Sequence, residues 1–151
     1  MKYSQYPYKR IDLETFQKDA EIMSNDFKSS ESAEQQIQII QDYQRSRKEI
    51  DTYSQIASVN FSRDTKNKNA KEEHEFYDEI MPEIAAIDNR FTKGLNASKF
   101  KDVLFNKFGK HYFDLIEMEL KSFDPKIVKL LKKENELINK YNALKASENH
   151  P

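Results

Sequence analysis

The sequence predicts an all-α fold: an antiparallel bundle of about six helices, with one long helical hairpin and a proline-kinked third helix. Three observations carry this. Only two glycines, Gly94 and Gly109, and four prolines occur in 151 residues, so the conformational freedom that tight hairpins and phosphate-cradling loops need is scarce. Lys, Glu, Gln and Asn are abundant. Apolar residues recur at steps of three and four, as one face of an amphipathic helix requires. Such a chain reads as a scaffold that presents a surface rather than as a self-contained catalytic site.

Residues 1–11 read as an extended arm, because Pro7 biases Tyr6 away from helix. Tyr3, Tyr6 and Tyr8 are placed to lie across the bundle. Asp12 is an N-cap candidate, and Leu13, Phe16, Ala20, Met23 and Phe27 follow as a helical stripe. A second helix starts near Ser32, with Gln35 three residues on as in a capping box. Ile39, Tyr43, Ile50, Tyr53 and Ala57 mark its buried face, widened by Ile40, Arg47 and Phe61. These two helices occupy 12–61. The polar stretch 62–71 reads as the exposed tip of the hairpin, with ends that can remain helical. Residues 72–95 form the third helix, whose stripe Phe76, Ile80, Ile84, Ile87, Phe91 and Leu95 keeps phase across Pro82. That phase favours a kinked continuous helix over two separate ones.

Residues 98–145 hold three shorter helices. Ser98 is a cap for the first, which carries Phe100, Val103, Leu104 and Phe108, and Gly109 ends it as an αL cap. The next carries Tyr112, Phe113, Ile116, Leu120 and Phe123. Asp124-Pro125 then reads as an N-cap with an N1 proline. The last helix carries Ile127, Leu130, Leu137, Tyr141 and Leu144, and the tail from Ala146 frays.

No composition shift or low-complexity tract splits the chain, so 1–151 reads as a single domain. Ten Phe and eight Tyr, with no Trp, make the expected core aromatic. Charged residues form 34 % of the chain yet cancel to a net −1, which argues against a nucleic-acid partner. There is no cysteine, hence no disulfide, thiolate metal site or thiol catalysis. No apolar run is long enough for a membrane span, and the start lacks the apolar core of a secretory signal. The expected location is the cytoplasm.

One segment invites a metal reading. His74-Glu75-Phe76-Tyr77-Asp78 resembles a zinc-protease helix with its second histidine replaced by Asp78. A third ligand would have to come from elsewhere, and neither His111 nor His150 suggests one; a solvent-facing helical histidine among Glu72, Glu73 and Glu75 is the plainer reading. The pairs Glu72/Glu73 and Asp78/Glu79 read as solvated helix charge, while Glu117 and Glu119 sit in a more apolar helix. Lys126, Lys129, Lys132 and Lys133 form a basic run that Glu134 and Glu136 dilute. Phe100, Phe105, Phe108, Phe113 and Phe123 crowd together; most belong to a core, and Phe105, off the main stripe, is the candidate for an apolar surface facing another domain.

Read in order, several segments resemble the N-terminal region of the oligoendopeptidase F family, zinc metallopeptidases of the thimet-oligopeptidase type. They are Tyr8-Lys9-Arg10-Ile11-Asp12-Leu13, Glu34-Gln35-Gln36-Ile37, Asp64-Thr65, Phe76-Tyr77-Asp78-Glu79 with Pro82, Phe108-Gly109-Lys110, Phe123-Asp124-Pro125-Lys126-Ile127-Val128, and Glu134-Asn135-Glu136-Leu137 followed by Tyr141, Leu144, Ala146 and Ser147. The resemblance runs from about Tyr8 to Ser147. Asn69 and Ala70 depart from it, standing where an aromatic pair is expected and loosening the start of the third helix.

The family's His-Glu-x-x-His helix does not occur in this sequence, so no catalytic, cofactor-binding or metal residue carries over, and zinc would belong to the absent catalytic domain. The resemblance implies a non-catalytic wall of an oligopeptide-binding cleft, inactive alone. Its implied partners are the catalytic domain or further copies of itself, met through an apolar face on the fourth to sixth helices, and oligopeptides. A standalone helical interaction module is the alternative.

Overall fold

The computed structural model describes residues 8–123 and, beyond them, the helical residues 133, 136–138, 140 and 141. Residues 8–123 form five helices and no strand: α1 (Leu13–Ser29), α2 (Ala33–Arg63), α3 (Lys68–Asn96), α4 (Lys101–Phe108) and α5 (Lys110–Ser122). The fold is all-α, as the sequence predicts. The expected Asp124-Pro125 helix start lies outside the described residues. Lys133, Leu137, Ile138 and Tyr141, from the expected last helix, are helical and exposed.

Local chemistry sets most helix ends. Asp12 caps α1, accepting the Thr15 amide at 3.3 Å. Ser32 caps α2 by accepting the Gln35 amide at 3.2 Å, and the Gln35 side chain reaches back to the Glu31 amide at 3.1 Å. Asn67 caps α3 through the Ala70 amide at 3.1 Å. The non-helical tip is therefore shorter than the ten-residue polar stretch, whose ends are helical as the sequence allows: α2 continues to Arg63, α3 begins at Lys68, and both Asn69 and Ala70 are already helical. Asn67 was hidden among other polar residues, yet Asn is among the strongest N-caps. Helix α3 runs unbroken through Pro82.

Two further joints differ from expectation. Ser98 does not cap α4; Phe100 holds that position, and the Ser98 hydroxyl instead accepts from the Phe100 amide and donates to Gln36 Oε1. Gly109 is not αL. Its φ of 93° and ψ of 163° fall in a region that only glycine enters without strain, which lets α5 start at the residue after α4 is capped. Gly109→Ala is expected to destabilise the fold by about 1–3 kcal/mol, read as a lowered urea midpoint at unchanged m.

The helices pack up, down and up. The Phe16 ring lies 6.1 Å from Tyr43, and Gln36 Nε2 donates to the Phe27 carbonyl at 3.1 Å, so α1 runs antiparallel to the first half of α2. Helix α3 returns antiparallel to α2, with Tyr43 stacked on Phe91 at 4.0 Å near one end and Phe61 on His74 at 4.9 Å near the other. Thus α1 and α3 are parallel. At 31 residues, α2 is about 46 Å long, well beyond the reach of α1. Its far half is closed by α3 and by residues 8–11, where Tyr8 packs edge-on to Tyr53 at 6.1 Å.

The stripes of α1 and α3 are buried at Phe16, Ala20 and Phe27 and at Ile80, Ile84, Ile87, Phe91 and Leu95 as expected, and shifts occur on α2 and at the start of the α3 stripe. On α2 the deepest residues are Gln36, Ile40, Tyr43, Ile50, Ile56 and Ala57, while Ile39 and Tyr53 are half-buried. On α3, Tyr77 is buried at 1 % exposure and Phe76 only half-buried. Aromatic residues with a polar tip take such places when the tip finds partners. The Tyr77 hydroxyl does, accepting the Ile11 amide at 3.3 Å and donating to the Lys9 carbonyl at 3.1 Å.

Candidate functional site

The suspected metal segment does not assemble a metal centre. His74 Nε2 lies 3.3 Å from Asp78 Oδ2 one turn on, and the His74 ring is stacked flat on Phe61 with 1° between planes. It is half-buried, not solvent-facing as the plainer reading had it. Among the described residues no three His, Cys, Asp or Glu side chains converge as a metal ion requires. The residues at this place do not fit a zinc ion. His111 is exposed, and His150 lies outside the described residues.

Of the acidic candidates, Glu73 is a tether. Its Oε2 accepts from the Tyr8 hydroxyl and from Arg10 Nε, each at 2.8 Å, while the Arg10 guanidinium lies 4.5 Å from the centre of the Phe76 ring. Burial pushes the Glu73 carboxyl up, but the bonds from Arg10 and Tyr8 together pull it below its ordinary value. Burial and the neighbouring carboxylate raise the Tyr8 phenol, so it stays a donor. Glu72, Glu79 and Glu117 are exposed.

A charged cluster at the α2–α3–α5 junction escaped the sequence reading. Arg47 Nε donates to both carboxylate oxygens of Asp88 at 3.0 Å, and its guanidinium reaches Asp51 at 3.1 Å. The Tyr43 hydroxyl also donates to Asp88. Burial raises the Asp88 carboxyl despite Arg47 and Tyr43 pulling it down. Glu119 on α5 faces this cluster, and burial, then the charge of Asp88, lift its carboxyl too, against the pull of Arg47. Arg47 on an otherwise apolar stripe was the available signal, since an arginine at a core-facing position calls for a carboxylate partner.

The sign of a pH effect follows. With its folded pKa raised, Glu119 binds its proton more tightly in the native state, so its charge opposes folding once pH exceeds the ordinary carboxylate range. Glu119→Gln is expected to stabilise the fold at pH 7, and the gain should fade as pH drops through the raised value toward about 4.3. Parallel urea titrations of both proteins at pH 4 and pH 7 check this.

Large apolar side chains collect at one end of the sequence. Among the described residues, those at least 40 % exposed are Ile22 on α1 and then Val103, Phe105, Leu115, Met118, Leu137, Ile138 and Tyr141. Phe105 emerges on the surface as expected. Leu104, Phe113 and Ile116 are the buried contributions of α4 and α5. Phe100, Phe108 and Phe123 are half-buried, and of the basic run only the exposed Lys133 is described.

The surface also carries open cavities, two of which bear on function. One, of about 330 Å³, lies near the hairpin tip between Tyr8, Asn60, Arg63, Asn69 and Glu73. The other, about 690 Å³, is a groove between α1 and α3 whose lining includes Ala20, Ile87, Gly94 and Ala97. Gly94 in this lining is not demanded by packing. Its φ is not positive, and an added Cβ would meet nothing nearer than Lys28 Cε at 3.9 Å. Because glycine inside a helix is disfavoured, Gly94→Ala is expected to stabilise the fold by about 0.5–1 kcal/mol, seen as a higher melting temperature.

Residues 3–123 match the family model described as the Peptidase M3 N-terminal domain, and the chain belongs to that family. The structure superposes on PZ peptidase A, solved with an inhibitor, at a TM-score of 0.85 and 31 % identity, covering 93 % of this chain and 25 % of that one. It is similar to a protein assigned as oligoendopeptidase F from Bacillus anthracis strain Ames, at a TM-score of 0.84 and 29 % identity over 91 % of this chain and 25 % of that one. A further structure assigned as oligoendopeptidase F gives 0.85 and 30 % over 93 % and 25 %. No curated protein sequence matches significantly. The chain thus spans about a quarter of the length of the peptidases it resembles. No helix among the described residues is long and apolar enough to cross a membrane.

Proposed function

We propose that this chain is the non-catalytic N-terminal portion of an oligoendopeptidase F-like zinc metallopeptidase, that it forms one wall of an oligopeptide-binding cleft in the cytoplasm, and that it is inactive alone. The observation that carries this is the near-complete superposition on a quarter of much larger peptidases. The chemistry agrees. The full sequence has no His-Glu-x-x-His, so zinc and the general base would come from the catalytic portion. The exposed Val103, Phe105, Leu115 and Met118 give that portion an apolar face to cover.

The test is hydrolysis of a quenched fluorescent oligopeptide. The chain alone, with or without added zinc, is expected to show no turnover, and mixing it with the remaining three quarters of a related peptidase is expected to raise that fragment's kcat/KM. Turnover by the repurified chain alone that chelation removes would overturn the reading.

A further inference from the structure

The groove between α1 and α3 carries charge that the fold does not use. It is bordered by Lys28, Arg90 and Lys93 against the single carboxylate of Glu21. All three cations are exposed, and among the described residues none has an ion-pair or hydrogen-bond partner for its side chain. Arg10, Lys18, Arg45 and Lys71 sit beside carboxylates, while other exposed cations such as Lys66 and Lys68 do not, among the described residues; what sets this groove apart is that three cations border one cavity with one carboxylate. In a chain with a net charge of −1, three unpaired cations along one groove are a local reversal of sign.

Lys28 and Lys93 lie in the last turns of two parallel helices, where the helix dipoles favour cations. That accounts for their height along the axes. It does not account for Arg90, which stands nearly two turns before the end of α3, nor for all three bordering one cavity.

The rest of the groove suits a main chain. Gln17, Ser24 and Asn25 line its α1 side and offer donors and acceptors. Ala20, Gly94 and Ala97 add little bulk to the groove, and Gly94 is not required by packing. The α1 lining runs from Gln17 to Lys28, about 16 Å along the helix, which matches about five residues of extended peptide.

We propose that this groove binds an acidic stretch of peptide, its carboxylates against Lys28, Arg90 and Lys93 and its backbone against Gln17, Ser24 and Asn25. The proposal rests on the reading that the chain helps to wall an oligopeptide cleft, and adds to it a preference for acidic sequence. Exposed charge pairs are individually weak and screened by salt, so the affinity is modest and falls steeply with ionic strength.

The test is fluorescence anisotropy of labelled, end-capped penta-glutamate and penta-glutamine peptides with the full 151-residue chain at low salt. Penta-glutamate is expected to bind about tenfold more tightly. The double reversal Arg90→Glu/Lys93→Glu is expected to abolish the difference, and Lys66→Glu/Lys68→Glu at the hairpin tip to leave it intact. Circular dichroism confirms that each variant is folded, as exposed positions allow. Equal binding of the two peptides, binding of neither, or loss through the tip reversal as large as through the groove reversal would each overturn the proposal. If it falls while the chain still raises turnover by the catalytic fragment, only the acidic preference is lost. If the chain leaves that turnover unchanged, the wall reading is lost, and the anisotropy result still decides whether the groove takes acidic peptide.

Discussion

Asp88→Ala is expected to lower the unfolding free energy by about 3 kcal/mol, the low end for breaking a buried ion pair. Its carboxylate is the shared acceptor for Arg47 Nε and the Tyr43 hydroxyl. Removing it leaves a guanidinium and a phenol facing helix α5 with too few partners. The side chains of Arg47 and Asp88 are 19 % and 22 % exposed, so water enters in part, and Asp51 still holds one end of Arg47; both facts keep the loss from the top of the range. Asp88→Asn keeps an acceptor for Tyr43 and should lose less. Because the cost lies in stranding one partner, Arg47→Leu/Asp88→Leu should lose less than the sum of the two single changes. Urea denaturation of the four proteins at pH 7 measures this directly.

Phe91→Ala is expected to cost about 3–5 kcal/mol, the range for deleting a large buried ring. Phe91 is 5 % exposed and is the ring through which three helices meet. Tyr43 of α2 stacks on it at 4.0 Å, and Phe27 of α1 meets it edge-on at 5.8 Å. Truncation leaves a void against two rings that their own helices hold in place, so little collapse can fill it. Phe91→Leu keeps most of the volume and should cost less than about 1.5 kcal/mol. Phe105→Ala is the contrast: at 40 % exposure, its loss should be about 1 kcal/mol or less. Equal losses at positions 91 and 105 would show that the core is not centred on the α1–α2–α3 contact.

The helices were legible because their signals are local. Asp12, Ser32 and the steps Phe16–Ala20–Phe27 and Ile80–Ile84–Ile87–Phe91–Leu95 each need only a few neighbouring residues to be read. Features that depend on a second helix were less legible. Ile40 rather than Ile39 became core because Tyr43 and Ile50, not Tyr53, set the face turned toward α3. Arg47 could be placed on the buried face, but its partner Asp88 sits 41 residues away, and no spacing rule spans that distance. The Gly109 joint was legible as a helix end, whereas its backbone conformation was not, because α5 had to begin at the very next residue for that shape to be needed. At the candidate metal segment, His74 and Asp78 do meet across one turn, as helical spacing dictates. Only the folded hairpin shows Phe61 covering the imidazole face.

The central claim is that this chain is a flank built to join a catalytic portion. Size-exclusion chromatography with light scattering, on the chain mixed with an M3 peptidase lacking its matching N-terminal quarter, tests it most directly. A stable one-to-one complex is expected, weakened by Phe105→Glu/Met118→Glu at exposed apolar positions of α4 and α5. Separate elution of the two at high micromolar concentration, or a complex indifferent to those two charges, would contradict the account.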